Sequence, residues 1–118
     1  MDKKEFISAY WNDVITQNNS NLGQYFNSDA VINCHNTNNS FTVAEFIESN
    51  SRKLVNLTAS IEKNIDTGDQ LITMAKVRDS VSNIVFHVTS FIKIENDRIS
   101  KVNEYWGNGL PFSELRNK

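Results

Sequence analysis

The 118-residue chain holds one cysteine, one proline, four glycines and two histidines. A single cysteine cannot close an intramolecular disulfide, so the core alone has to hold the fold, and a lone thiol fits a reducing compartment. Zinc and iron centres use three or four converging ligands. Here Cys34 is accompanied only by His35 and the distant His87, and no metal is expected. Gly23, Gly68, Gly107 and Gly109 suit turns and build no phosphate-cradling loop, and no cofactor is expected. Charge is sparse as well: 12 basic and 14 acidic side chains leave a net charge of -2. Lys3, Lys4 and Lys53 make no basic stripe, so nothing suggests nucleic acid. No apolar run is long enough for a bilayer, and the opening "MDKKEFISAYWNDV" has no apolar signal core. A cytoplasmic protein without membrane contact is the expectation.

What the chain has is a helical first half and a strand-rich second half, with no repeat or linker dividing residues 1–118. Asp2 and Glu5 have capping-box spacing, and Phe6, Tyr10 and Val14 then recur every four residues, widened by Ile7 and Trp11. "TQNNSN" ends that helix. A short helix around Leu22–Phe26 is predicted next, then a strand at "DAVINCH" and a loop at "NTNNS". Thr42 and Glu45 repeat the capping-box spacing and open a helix through Phe46 to about Lys53. "NLTASIEK", "LITMAKV", "IVFHVTSFIKI" and "ISKVNEYW" read as strands, joined at "IDTGDQ", "RDSVSN" and "ENDR". Helices followed by a meander of strands predict an α+β domain with the helices on one face of a curved antiparallel sheet.

The last of these strands poses the functional question. Lys101 should face water, which puts Asn103 and Tyr105 outward and Val102, Glu104 and Trp106 inward. In the preceding strand Ile84, Phe86, Val88, Ser90, Ile92 and Ile94 share one parity and form the inner strip beside Glu104. A bulge in either strand would invert part of this assignment. Glu104 is therefore either a partly solvated acid at the sheet rim or a carboxylate in an apolar pocket. In the pocket, desolvation would raise its pKa and fit it for proton transfer near neutral pH.

The order of elements, "FNSDAVIN" after the second helix and the closing "FHVTSFIKIENDRISKVNEYWG" resemble the nuclear transport factor 2-like superfamily. The nearest branch is the SnoaL-like polyketide cyclase and ketosteroid isomerase group. The resemblance covers essentially the whole chain. It implies a cystatin-like cone: a curved sheet wrapped around a long N-terminal helix, with two further short helices and an apolar pocket at the open end. It places the first-helix tyrosine of the isomerases on Tyr10 and their pocket tryptophan on Trp106. Their protonated acid falls on Ser90 and their base on Cys34, so both carboxylates are missing and ketosteroid isomerisation itself is not implied. Glu104 stands where those isomerases carry a small apolar residue, and it can supply a relocated acid.

Two functions follow from this resemblance. One is a cofactor-free isomerase, cyclase or dehydratase acting on an apolar carbonyl compound, with Glu104 and Tyr10 catalytic. The ligand pocket would be lined by Trp106, Ser90, Val88, Cys34, His35 and Phe46. The other is a non-catalytic ligand-binding or dimerisation module of the same fold. Cys34 and His35 are neighbours in a strand and face opposite ways, which argues for a small buried cysteine rather than a nucleophilic pair. His35 is either a pocket-mouth residue or a solvated loop histidine. The resemblance also implies a homodimer through the outer sheet face, with His87, Phe91 and Tyr105 in the interface. Leu110, Pro111 and Phe112 would cross the pocket mouth, pack on a partner subunit or fray.

Overall fold

The computed structural model describes residues 2–51 and 56–107. Helix α1 spans Lys3–Ile15, and the Asp2 carboxylate caps it by accepting the amides of Lys4 and Glu5 at 2.9 and 3.3 Å. It ends where Gln17 takes a φ of +56° and the Thr16 hydroxyl donates to the Asn12 carbonyl. Its inner face buries Ile7, Tyr10, Trp11 and Val14, and each large apolar side chain buried this way contributes roughly 1.5–3 kcal/mol.

Helix α2 (Asn19–Leu22) runs into a 3-10 turn at Gly23–Tyr25. The short helix expected at 22–26 thus lies earlier in the chain. Phe26 is already extended, and the asparagine-rich stretch that breaks α1 also forms the first turn of α2, with Asn18 at the N-cap position. Strand β1 is Phe26–Cys34. The predicted loop at 36–40 contains part of strand β2 (Asn39–Phe41), which pairs back on β1 through Cys34–Asn39, Asn33–Ser40 and Ile32–Phe41. The turn closes because Asn38 accepts a φ of +56°. Helix α3 (Val43–Ser51) opens on a reciprocal box. The Glu45 carboxylate accepts the Thr42 amide at 2.9 Å, and the Thr42 hydroxyl accepts the Glu45 amide at 3.2 Å. Its predicted continuation to Lys53 lies outside the described residues.

Strands β3 (Leu57–Asp66), β4 (Gln70–Asp79), β5 (Val85–Glu95) and β6 (Arg98–Gly107) follow. All four form a meander in a six-stranded sheet of order β2-β1-β6-β5-β4-β3. Gly68 turns the β3–β4 connection at a φ of +103°. Asn96 and Asp97, both at positive φ, close the tight β5–β6 hairpin. The sheet is mixed, which corrects the expectation of a wholly antiparallel one. β1 runs parallel to β6, with Ile32 opposite Val102 and Cys34 opposite Glu104. The chain between them returns through α3 and β3–β5 instead of a tight turn, so a parallel pair is open to it.

A register shift at the β5–β6 hairpin pairs Lys93 with Lys101 but Ile94 with Ile99. The extra residue, Ser100, lets both Ile99 and Val102 face inward, where they are fully buried. Ile84 is a second correction: it precedes β5 and is 45% exposed, so the inner strip starts at Phe86. The helices cover the inner face, α1 against β3 and α3 against β1. The α+β architecture is as the sequence predicts.

Candidate functional site

Between α3 and the inner face of the sheet lies a cavity of about 640 Å³. Ile32 and Cys34 of β1, Phe41 of β2 and Phe46 of α3 line one side. Val77 of β4, Phe86 of β5, and Glu104 and Trp106 of β6 line the other. A larger groove of about 770 Å³ separates α1 from β3, but Lys4, Ser8, Asn12, Thr16 and Glu62 give it a solvated, mixed-polarity wall. The 640 Å³ cavity is the one whose wall is chiefly apolar and carries Glu104, and functional pockets are typically built that way.

Glu104 is 7% exposed. Its backbone is fixed from both sides, by Ser90 across β5 and by Cys34 across β1, and its carbonyl accepts the His35 amide at 3.0 Å. The indole N–H of Trp106 donates to the Glu104 carboxylate at 3.4 Å. Trp106 is held in turn by Asn36, whose side chain accepts the Trp106 amide at 2.6 Å and donates to its carbonyl. Phe86 meets the indole edge-on at 6.1 Å, and Trp11 tilts against it at 6.5 Å. The acid and the indole of β6 thus share one wall and are braced by residues from β1, β5 and α1.

Tyr10 lies deeper. It is 1% exposed, does not line the cavity, and its hydroxyl has no partner among the described residues. Burial raises its pKa well above the usual phenol value, and the nearby Glu104 charge raises it further. Tyr10 is therefore neutral and electrostatically linked to Glu104 without reaching the cavity. Ser90 and Val88 correct the expected lining in the same way. Both face inward, as their parity requires, yet both are fully buried in the core rather than in the cavity wall. The Ser90 hydroxyl is also without a partner among the described residues.

His35 is the clearest correction. It sits on the opposite face of the sheet, where its ring stacks on Tyr105 at 4.5 Å and its Nε2 meets the Asn103 side-chain oxygen at 2.9 Å. Strand alternation explains this, since Cys34 turns toward the cavity and its neighbour must turn away. Cys34, Phe46, Glu104 and Trp106 are thus the predicted site residues that the cavity brings together. Residues 110–112 lie outside the described residues.

Several lining residues escaped the sequence reading. Asp79 stands at the end of β4, where its Oδ1 accepts the amides of Val81 and Ser82 at 2.9 and 3.4 Å. The "DSVS" spacing is that of an aspartate folding back on its own turn, a signal that was available. Those amide bonds hold its carboxyl below the ordinary carboxylate range. Asn50 follows Phe46 by four residues on α3, so the same helical stripe carries both to the cavity. Phe41 and Phe46 flank the Thr42 cap at hydrophobic-staple spacing, which also pointed to Phe41. Among the described residues, no group of His, Cys, Asp and Glu is arranged to hold a metal ion.

No family model and no curated protein matches the sequence. Solved structures do match. A nuclear transport factor 2-like protein of unknown function from Burkholderia xenovorans superposes with a TM-score of 0.80 at 11% identity, over 97% of this chain and 89% of that one. A protein described as a SnoaL-like polyketide cyclase from Shewanella putrefaciens gives 0.77 at 12% identity, over 100% of this chain and 88% of that one. A protein of ketosteroid isomerase-like fold from Catenulispora acidiphila, solved in complex with trimethylamine, gives 0.77 at 17% identity, over 91% and 94%. Such identities speak to architecture: the chain has the nuclear transport factor 2-like fold.

Proposed function

We propose that the protein binds a small, largely apolar molecule in the α3–sheet cavity, and that Glu104 is the group through which it acts on that molecule. The observation that carries this reading is the position of the Glu104 carboxylate, in the wall of an apolar cavity and bonded to the Trp106 indole. In such surroundings a carboxyl group is suited to move a proton at a carbon next to a carbonyl. The corresponding chemistry is a cofactor-free isomerisation, cyclisation or dehydration of an apolar carbonyl compound. That one structural neighbour holds a small amine in its complex adds support for ligand binding.

A second reading, a ligand carrier without chemistry, is favoured by Tyr10. The hydroxyl that would stabilise an oxyanion belongs to a side chain outside the cavity wall. Incubation with cyclic ketones in D2O separates the two. Glu104→Gln should stop deuterium exchange at the α-carbon of a bound ketone while leaving its binding within about twofold, because the amide keeps the carboxylate's shape. Exchange that continues unchanged in Glu104→Gln removes the proton-transfer role and leaves the carrier.

The outer sheet face is proposed as a self-association surface. There Tyr105 is 47% exposed and is met by Phe91 at 6.1 Å and His35 at 4.5 Å. Val31 and Ile65 are exposed on the same sheet. His87 lies on that face too, with its Nδ1 3.4 Å from the Glu62 carboxylate.

A further inference from the structure

We propose that the α3–sheet cavity takes an elongated carbonyl compound, whose reacting end lies by Glu104 and whose apolar tail passes Leu57 into the α1–β3 groove. This names the shape of the ligand and rests on the reading of the cavity as the site of a carbonyl compound.

The two spaces share one side chain. Leu57, at the start of β3, lines both the 640 Å³ cavity and the 770 Å³ groove, and it is the one described residue that does so. It is half-buried, and its backbone is paired with Asp79 of β4. That pairing holds the strand in place. The side chain has two common χ1 wells in a strand, and turning from one to the other needs no movement of the backbone.

The elements around Leu57 are braced. The Gln17 side chain donates to the Asn50 carbonyl at 3.2 Å, and the Asn50 amide donates to the Val14 carbonyl at 3.1 Å, which ties the end of α1 to α3. Leu57 is thus a single apolar side chain dividing two spaces whose other walls are fixed.

Apolar surface is continuous from one space to the other. Trp106 of the cavity wall meets Trp11 of the groove wall with ring centroids at 6.5 Å. Ile15 follows Trp11 on the same stripe of α1 and lines the groove as well. The groove is also polarised along its length. Lys3 bonds Asp66 at 3.1 Å, so the start of α1 lies by the end of β3. Lys4 and Lys63 therefore stand at the end of the groove away from Leu57, and Ile15 at the near end. A tail that enters past Leu57 meets Ile15 and Trp11 before it reaches those cations. A compact ketone leaves that apolar stretch in water, whereas a tail that covers it gains affinity with each group it buries.

Two rigid ketones test this, since a rod cannot coil up inside the cavity: acetophenone and its para-phenylethynyl derivative, each titrated into the intact chain. The Trp106 indole N–H resonance reports on the cavity, and the Ile15 and Ala59 methyl resonances report on the groove. Acetophenone should move the indole alone. The longer ketone should move the indole and both methyls, and should bind about tenfold or more tightly. Leu57→Ala should widen that long-to-short affinity ratio severalfold and Leu57→Phe should narrow it, and circular dichroism should confirm that both variants fold. A long ketone that moves the indole without the methyls, or an affinity ratio that neither variant changes, overturns the tail assignment and leaves the cavity a ketone site. If neither ketone moves the indole, the reading of the cavity falls, and the tail assignment with it.

Discussion

Removing one oxygen atom from each of two neighbouring tyrosines should move stability in opposite directions. Tyr10 is packed edge-on by Trp11, Tyr25 and Phe26 with ring centroids at 6.1, 5.6 and 5.8 Å. Every one of those contacts survives in Tyr10→Phe, and the hydroxyl that is lost has no partner among the described residues. A buried, unpaired hydroxyl costs about 1–3 kcal/mol of desolvation. Allowing for the small void left behind, Tyr10→Phe should stabilise the fold by about 1 kcal/mol and raise Tm by roughly 4 °C.

Tyr25 has the opposite bookkeeping. Its hydroxyl donates to the Asp13 carboxylate at 2.5 Å in a buried setting. Burial, then the bond and charge of Asp13, push the Tyr25 pKa up to about 12, which keeps the donor proton in place. Tyr25→Phe deprives a buried carboxylate of a charge-assisted bond and should destabilise by about 1.5–3 kcal/mol. Urea unfolding followed by circular dichroism gives both values against wild type. If Tyr10→Phe is destabilised by 1 kcal/mol or more, the hydroxyl does have a partner, and the separation of Tyr10 from the cavity chemistry is wrong.

Other consequences can be measured with the same methods. Asp79 has a depressed carboxyl pKa, so its contribution to stability is present above the unfolded-state value and is lost as pH falls through the folded one. In Asp79→Asn the decline of stability on the acid side of pH 4 should therefore be shallower than in wild type. An unchanged slope would mean that the Val81 and Ser82 amides do not hold the carboxylate. Gly68→Ala should cost about 1 kcal/mol or more, because a φ of +103° strains any L side chain even though nothing lies within 4 Å of the added methyl; a neutral result would refute that turn geometry. Tyr105→Glu should convert a dimer to a monomer in native mass spectrometry if the outer face joins two copies. A dimer that persists would move the interface elsewhere.

Much of this architecture can be read from local chemistry. The caps of α1 and α3 are legible because each depends on two side chains three residues apart, Asp2 with Glu5 and Thr42 with Glu45. The inward turn of Val102, Glu104 and Trp106 is legible because strand alternation needs only one anchor, the solvated Lys101. Depth is not legible. Tyr10, Val88 and Ser90 have the right facing, but the cavity occupies only part of the inner surface, and periodicity does not mark where along a helix or strand it opens. β2 escapes for a different reason, since "NSF" has no alternation and gains its strand geometry only from β1. The bond from Tyr25 to Asp13 joins a 3-10 turn to a helix, and no spacing rule relates the two positions.

The parallel pairing of β1 with β6 has a kinetic consequence. Hairpins β3–β4 and β5–β6 can zip from their own turns, but Asn36 must find Trp106 across 70 positions of chain. Closing so long a loop is slow compared with forming a local turn. The cavity wall should then be among the last parts of the molecule to lock, and a refolding intermediate with its meander complete would still lack the closed cavity.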